Sequence, residues 1–138
     1  DMVAQALKVL GGHSAMVVHG DDALDEISVC APTRVSELKE GMVRTYDIDP
    51  VPYFGQLADP EEMAGGDVEE NAAVTRDILS GKPGAKRNVV LINAGAALQA
   101  AAKVGDLRAG IEMAAAVIDG GKAMEKLDAL VQYTQNNS

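Results

Sequence analysis

The sequence is poor in aromatic residues and in cysteine. Only 3% of its 138 residues are aromatic, with three tyrosines, one phenylalanine and no tryptophan, so aliphatic side chains must build the core. This composition suits helices packed closely on a sheet, and it offers too few rings for a base-stacking platform. The single cysteine, Cys30, cannot form a disulfide within the chain. We therefore expect a reducing compartment, with the cytoplasm as the default.

Basic residues and long apolar runs are also scarce. The chain has 12 Lys and Arg against 21 Asp and Glu, for a net charge of −9. Binding to nucleic acid requires clusters of basic side chains, and the only such cluster is Lys82, Lys86 and Arg87. No segment approaches the ~18 consecutive apolar residues of a membrane span. We expect neither nucleic acid nor a membrane as a partner.

The first half of the chain is rich in predicted strands. Apolar residues make up 47% of the sequence, enough for the core of one domain. Their spacing predicts a helix over residues 1–10 and strands over 15–19, 33–39 and 42–48. The last two strands alternate with period 2 around Glu40-Gly41, which is the pattern of a β-hairpin.

The second half is predicted to be helical, after an irregular connection over residues 50–65. Asp67 and Glu70 form a capping box at the start of one helix, and residues 84–103 favour one buried helix. Two further helices follow, one capped by Asp106 and one after Gly121. The sequence thus predicts an α/β fold: part of a mixed or parallel sheet with a β-hairpin extension, flanked by helices concentrated in the C-terminal half.

Acidic residues cluster directly after the first predicted strand, namely Asp21, Asp22, Asp25 and Glu26. In α/β proteins, ligands bind outside the carboxyl ends of parallel strands. Carboxylate oxygens suit Mg²⁺, which often bridges to a substrate phosphate. The alternative is a solvated acidic turn. Because adjacent strand residues point to opposite faces, Asp25 and Glu26 reach one metal only if the backbone turns beside them.

Other candidate residues favour structural roles. His19, which ends the first strand, is more typical of a hydrogen-bonded structural histidine than of a general base. Gly65-Gly66 precedes a helix as in a phosphate loop, but Asp67 and the acids after it would repel phosphate. Cys30 has no local basic setting that would mark a reactive thiol.

Several segments, in order along nearly the whole chain, form a specific combination. They are Val17–Gly20, Asp22–Ser28, Pro32–Val35, Gly65–Asp67, Glu70–Ala72, Val90–Ala94, Ala97-Leu98, Gly121–Ala123 and Lys126-Leu127. Together they resemble the anthranilate phosphoribosyltransferases. The family's glycines before Leu and before Pro-Thr are replaced by Ala23 and Ala31, and alanine would be strained at either position if φ is positive there.

The resemblance implies an enzyme of tryptophan biosynthesis. In its third step, anthranilate displaces pyrophosphate from phosphoribosyl pyrophosphate (PRPP), with Mg²⁺ required. In the family, the adjacent Asp-Glu pair of the motif binds Mg²⁺ that engages the pyrophosphate. This pair corresponds to Asp25 and Glu26, which the resemblance therefore assigns as metal ligands that bind the substrate through the metal.

The resemblance also implies that residues 1–138 are the C-terminal portion of the phosphoribosyltransferase α/β domain. The family's helical N-terminal domain, which forms its homodimer, and its glycine-rich phosphate loop have no counterpart in this sequence. We expect the chain alone to be inactive and to self-associate through exposed sheet edges. Two alternatives remain: a relative of the pyrimidine-nucleoside phosphorylases, which the Asp-Glu pair disfavours, and a noncatalytic nucleic-acid-binding relative, which the net charge disfavours.

Overall fold

The computed structural model describes residues 1–137. In chain order the elements are α1 (Met2–Val9), β1 (Ser14–Gly20), β2 (Thr33–Lys39), β3 (Met42–Ile48), α2 (Val51–Phe54), a 3-10 turn (Pro60–Met63), α3 (Val68–Leu79), α4 (Ala85–Ala100), α5 (Leu107–Asp119) and α6 (Lys122–Asn136). The predicted α/β class is confirmed, with the strands in the first half and four helices in the second.

The β2–β3 pair forms the predicted β-hairpin, with Glu40 and Gly41 as its two turn residues. Both have positive φ, 50° for Glu40 and 74° for Gly41. A two-residue turn of type I′ requires positive φ at both positions, because only that geometry matches the right-handed twist of the strands. The turn therefore fixes the register of the hairpin.

The sheet is antiparallel in all its pairs within residues 1–137, with β2 between β1 and β3. The β2–β3 pairing is the predicted hairpin, but β1 also pairs antiparallel with β2, whereas we expected these strands to be part of a mixed or parallel sheet. A parallel pair needs a crossover of about a dozen residues or more, usually a helix. Here β2 follows β1 through loop 21–32, which contains no helix, and a two-residue turn joins β2 to β3.

One face of the sheet packs against α4. Val18, Val35 and Tyr46 lie side by side on the three strands. They share a hydrophobic core with Val89 and Ile92 of α4. On the other face, Leu38 of β2 and Ala4 of α1 are fully buried, and α1 contacts all three strands. The sheet thus lies between two helical layers.

The predicted helices of the second half are confirmed. Asp67 accepts a hydrogen bond from the Glu70 backbone at 2.9 Å, and the Glu70 carboxylate accepts one from the Asp67 backbone at 2.9 Å. This capping box starts α3. The segment 84–103 contains the single helix α4, Ala85–Ala100, as expected. Within residues 1–137, no helix combines the length and apolar character needed to cross a bilayer.

Helices α4 and α5 approach each other closely at Gly95 and Gly110. A Cβ atom on Gly95 would lie 2.8 Å from the backbone nitrogen of Ile111, and one on Gly110 would overlap the carbonyl oxygen of Gly95. Glycine is used here because it lets two backbones touch. The contact holds α4 firmly between α5 and the sheet.

Candidate metal centre after the first strand

The two acids that we expect to bind metal lie on loop 21–32, between β1 and β2. Asp25 is exposed and Glu26 is partly buried. Within residues 1–137, neither carboxylate takes part in a hydrogen bond or an ion pair. Their oxygens are therefore open to a ligand from outside the loop.

A tight turn at the end of β1 leads into this pair. The Gly20 backbone N–H donates to the Leu24 carbonyl at 2.9 Å, and the Ala23 N–H donates to the Gly20 carbonyl at 2.9 Å. A Cβ atom on Gly20 would overlap the Asp22 carboxylate, so a larger residue at that position would have to displace the Asp22 side chain. The sequence-based requirement that the backbone turn beside the acids is met.

Ala23 adopts φ 70° in this turn, whereas Ala31 is outside the positive-φ region. Replacement of the family's glycine by alanine therefore strains the backbone at Ala23 but not at Ala31. An L-residue in the left-handed region costs roughly 1–2 kcal/mol. The turn keeps its shape because the hydrogen bonds around Gly20 and Leu24 offset that cost.

Ser28 secures the loop after the acids. It is fully buried, and its hydroxyl donates to the Asp22 carboxylate at 2.5 Å. The same oxygen accepts the backbone N–H groups of Cys30 at 2.9 Å and Ala31 at 3.2 Å. Such local side-chain bonds replace the backbone pairing that a loop lacks. Asp22 thus serves the loop itself and is separate from the open pair.

A second anchor comes from α4. The Asn93 carboxamide oxygen accepts the Ile27 N–H at 2.9 Å, and its nitrogen donates to the Ile27 carbonyl at 2.8 Å. The nitrogen also donates to the Val89 carbonyl within α4 at 2.9 Å. The side chain of Ile27 is buried in the core that contains Ile92. Ile27, the neighbour of Glu26, is therefore held by both its backbone and its side chain.

Cys30 and His19 were the other candidate residues in the sequence, and the structure supports no chemical role for either. Burial raises the pKa of the Cys30 thiol, and the charge of Asp22 raises it further, in keeping with the inert thiol that we expected. His19 is exposed at the end of β1, and its side chain makes no hydrogen bond within residues 1–137. This corrects the expected hydrogen-bonded histidine: its side chain lies on the sheet face opposite α4.

The carboxylate oxygens of Asp25 and Glu26 are the kind of ligand atom that suits Mg²⁺. Mg²⁺ keeps several waters and is commonly bound through one or two carboxylates together with substrate phosphates. Among residues 1–137, no group of three or more His, Cys, Asp or Glu side chains is placed to hold a metal. A closed protein cage is therefore not formed, and a two-carboxylate site completed by a phosphate ligand and water suits these residues.

Sequence reasoning identified the acids but not the residues that hold them. From the sequence, Ser28 and Asn93 stand out only as members of segments that resemble the family. A signal for Asn93 is nonetheless present, because it is an amide within the otherwise apolar run of α4 from Val89 to Leu98. A polar side chain in such a run needs a hydrogen-bond partner.

Comparison with known proteins identifies the class. The family described as "Glycosyl transferase family, a/b domain" matches residues 1–124, and the chain belongs to this family. The resemblance to anthranilate phosphoribosyltransferases is confirmed as well. The enzyme of that name from Desulfosudis oleivorans is 59% identical over 138 residues, which cover 99% of this chain. The chain spans 41% of the length of that relative.

Solved structures agree with this assignment of the fold. The crystal structure of anthranilate phosphoribosyltransferase from Thermus thermophilus is 34% identical with a TM-score of 0.83, covering 96% of this chain and 39% of that one. The enzyme from Saccharomyces cerevisiae in complex with PRPP and Mg is 25% identical with a TM-score of 0.78, covering 91% of this chain and 37% of that one.

Proposed function

We propose that this chain is the C-terminal portion of the α/β domain of an anthranilate phosphoribosyltransferase. The whole enzyme would transfer phosphoribosyl from PRPP to anthranilate in tryptophan biosynthesis. The observation that carries the proposal is the open carboxylate pair Asp25-Glu26, held on a doubly anchored loop in a chain 59% identical to an enzyme of that name. The Saccharomyces cerevisiae relative with PRPP and Mg supports the choice of substrate and metal.

In this reaction the nitrogen of anthranilate attacks C1 of the ribose, and the bond from C1 to the pyrophosphate oxygen breaks. Mg²⁺, when bound, stabilises the charge that develops on the departing pyrophosphate. The role of Asp25 and Glu26 is to hold that cation beside the phosphates. Loop 21–32 orients the pair, since its anchors restrict the backbone on both sides of the two acids.

We further propose that the chain alone does not catalyse. Asp25 is exposed to solvent, whereas phosphoryl and ribosyl transfers depend on positioned donors in a site that excludes water. The glycine-rich phosphate loop of the family has no counterpart in this sequence. Those groups would come from other parts of the whole enzyme.

The test uses the full-length protein and the native fluorescence of anthranilate. We expect anthranilate to be consumed only with PRPP and Mg²⁺. Asp25→Asn combined with Glu26→Gln should lower the rate by more than the roughly 10–100-fold loss that is typical for residues that only support metal ligands. Asp21→Asn is the matched control, because it removes one charge from the same loop without touching the pair.

The outcomes separate the candidate functions. If the full-length protein consumes no anthranilate but cleaves pyrimidine nucleosides with phosphate and without Mg²⁺, the phosphorylase alternative replaces the transferase. If neither reaction occurs and DNA binding falls with added salt, the chain is a noncatalytic nucleic-acid binder. Turnover by the purified 138-residue chain alone would refute its proposed inactivity.

The expected partners are proposals of the same kind. We propose a cytoplasmic location, a homodimeric whole enzyme and self-association of the chain when it is isolated. Self-association is supported by the outer edges of β1 and β3, which have no strand partner within residues 1–137, and by Met2 and Val9 on α1, each 85% exposed. A monomer throughout a concentration series in sedimentation equilibrium would contradict it.

A further inference from the structure

We infer that Asn93 is a positioning residue: its carboxamide clamps the Ile27 backbone and so holds the Asp25–Glu26 pair in place for the metal. The inference rests on the proposed function, because it concerns the same carboxylates. Within the described residues Asn93 makes no hydrogen bond to Asp25 or Glu26, and it reaches the pair through its bonds to Ile27.

The clamp fixes the backbone directly after Glu26. The peptide group is planar, so the Ile27 N–H lies in one plane with the carbonyl and Cα of Glu26. The bond from Ile27 N–H to the Asn93 oxygen, 2.9 Å, therefore sets that plane. The next plane is held from both edges, because the Ile27 carbonyl accepts from Asn93 at 2.8 Å and the Ser28 N–H donates to Thr33 Oγ1 at 3.0 Å.

The backbone before Asp25 is held from the other side. The Leu24 carbonyl and the Asp25 N–H share one peptide plane, and that carbonyl accepts the Gly20 N–H at 2.9 Å. Three peptide planes contain the backbone of the two acids: Leu24–Asp25, Asp25–Glu26 and Glu26–Ile27. Within the described residues, only the Asp25–Glu26 plane makes no hydrogen bond through its N–H or carbonyl group. Removing Asn93 would release the plane after Glu26, so that the acids would be held on that side only through the buried side chain of Ile27 and the Ser28 N–H bond to Thr33.

Asn93 is suited to this task because it sits on a rigid element. Its nitrogen also donates to the Val89 carbonyl, which orients the carboxamide towards the loop. Its helix is held at Gly95 against Gly110 of α5. Sites built on helices keep their geometry better than sites supported by loops alone.

The test measures binding of Mn²⁺ to the full-length protein in the presence of PRPP, detected by the enhancement of water proton relaxation. We expect Asn93→Ala to weaken Mn²⁺ binding roughly 10–100-fold, as is typical for residues that support metal ligands. The apparent KM for PRPP at limiting Mg²⁺ should rise, while the KM for anthranilate stays unchanged. Should Asn93→Ala fail to fold, Asn93→Gln, which moves the amide by one methylene, should weaken Mn²⁺ binding by a smaller factor.

The chain offers a matched control at Asn71. Its carboxamide makes the same clamp on another loop, accepting the Gly66 N–H at 3.0 Å and donating to the Gly66 carbonyl at 2.8 Å. Asn71→Ala removes the same pair of bonds to the backbone of one loop residue, away from the acids, and should leave Mn²⁺ affinity unchanged. Ile92→Val controls for lost stability, since it weakens the core beside Asn93 and leaves the clamp intact.

The results distinguish this inference from the proposed function. If Asn93→Ala binds Mn²⁺ within twofold of the unaltered protein while Asp25→Asn with Glu26→Gln does not bind it, the inference fails and the function stands. If Ile92→Val loses as much affinity as Asn93→Ala at an equal drop in Tm, the role of Asn93 is only structural. If the unaltered protein neither binds Mn²⁺ nor consumes anthranilate, both fail.

Discussion

Replacement of Gly110 by alanine tests whether direct backbone contact joins α4 to α5. The new Cβ would lie 2.8 Å from both the Cα and the carbonyl carbon of Gly95. Carbon atoms prefer separations of about 3.5–4.0 Å, so the helices would have to part by roughly 0.7–1.2 Å. No side-chain rotation relieves the overlap, because both of these Gly95 atoms belong to the backbone.

The magnitude follows from two opposing effects. Overpacking of a core typically costs about 1–3 kcal/mol, and a backbone clash belongs at the upper end of that range. Alanine recovers up to about 1 kcal/mol through its better helix propensity. We therefore expect Gly110→Ala to lower the free energy of unfolding by about 2 kcal/mol, which in a domain of this size lowers Tm by roughly 6–8 °C.

The assay is urea unfolding of the 138-residue chain, followed by helical circular dichroism. Gly105→Ala is the control, because a Cβ there meets nothing within 4 Å and should change stability by less than about 0.5 kcal/mol. Equal midpoints for Gly110→Ala and the unaltered chain, or equal shifts for both variants, would refute the close approach of the two helices.

Two further predictions concern loop 21–32. Ala23→Gly should raise the free energy of unfolding by about 0.5–1 kcal/mol, because relief of the positive φ exceeds the added entropy of the unfolded chain. Ala31→Gly, outside the positive-φ region, should lower it; urea midpoints that move in the same direction would contradict this. Cys30 should react with iodoacetamide more slowly than a free cysteine at about pH 8, because burial raises the pKa of its thiol and only the thiolate reacts.

Much of the secondary structure is determined by the sequence alone, because the deciding contacts are local. The capping box of α3 joins Asp67 to Glu70, and the β-hairpin turns at Glu40-Gly41, so each is encoded within a few neighbouring residues. The candidate metal ligands are recognisable for the same reason, since Asp25 and Glu26 are adjacent within one segment. Even the strained position Ala23 is indicated by the glycine that the family places there.

Tertiary structure decided what holds those acids. Asn93 lies 66 residues from Ile27 in the chain, and the two meet only because α4 packs against one face of the sheet. Gly95 and Gly110 likewise meet only when two helices cross. Local periodicity shows which face of a helix is apolar, but it carries no information about which distant backbone will lie against one polar residue on that helix. The candidate ligands are therefore readable from sequence, whereas their anchoring depends on packing.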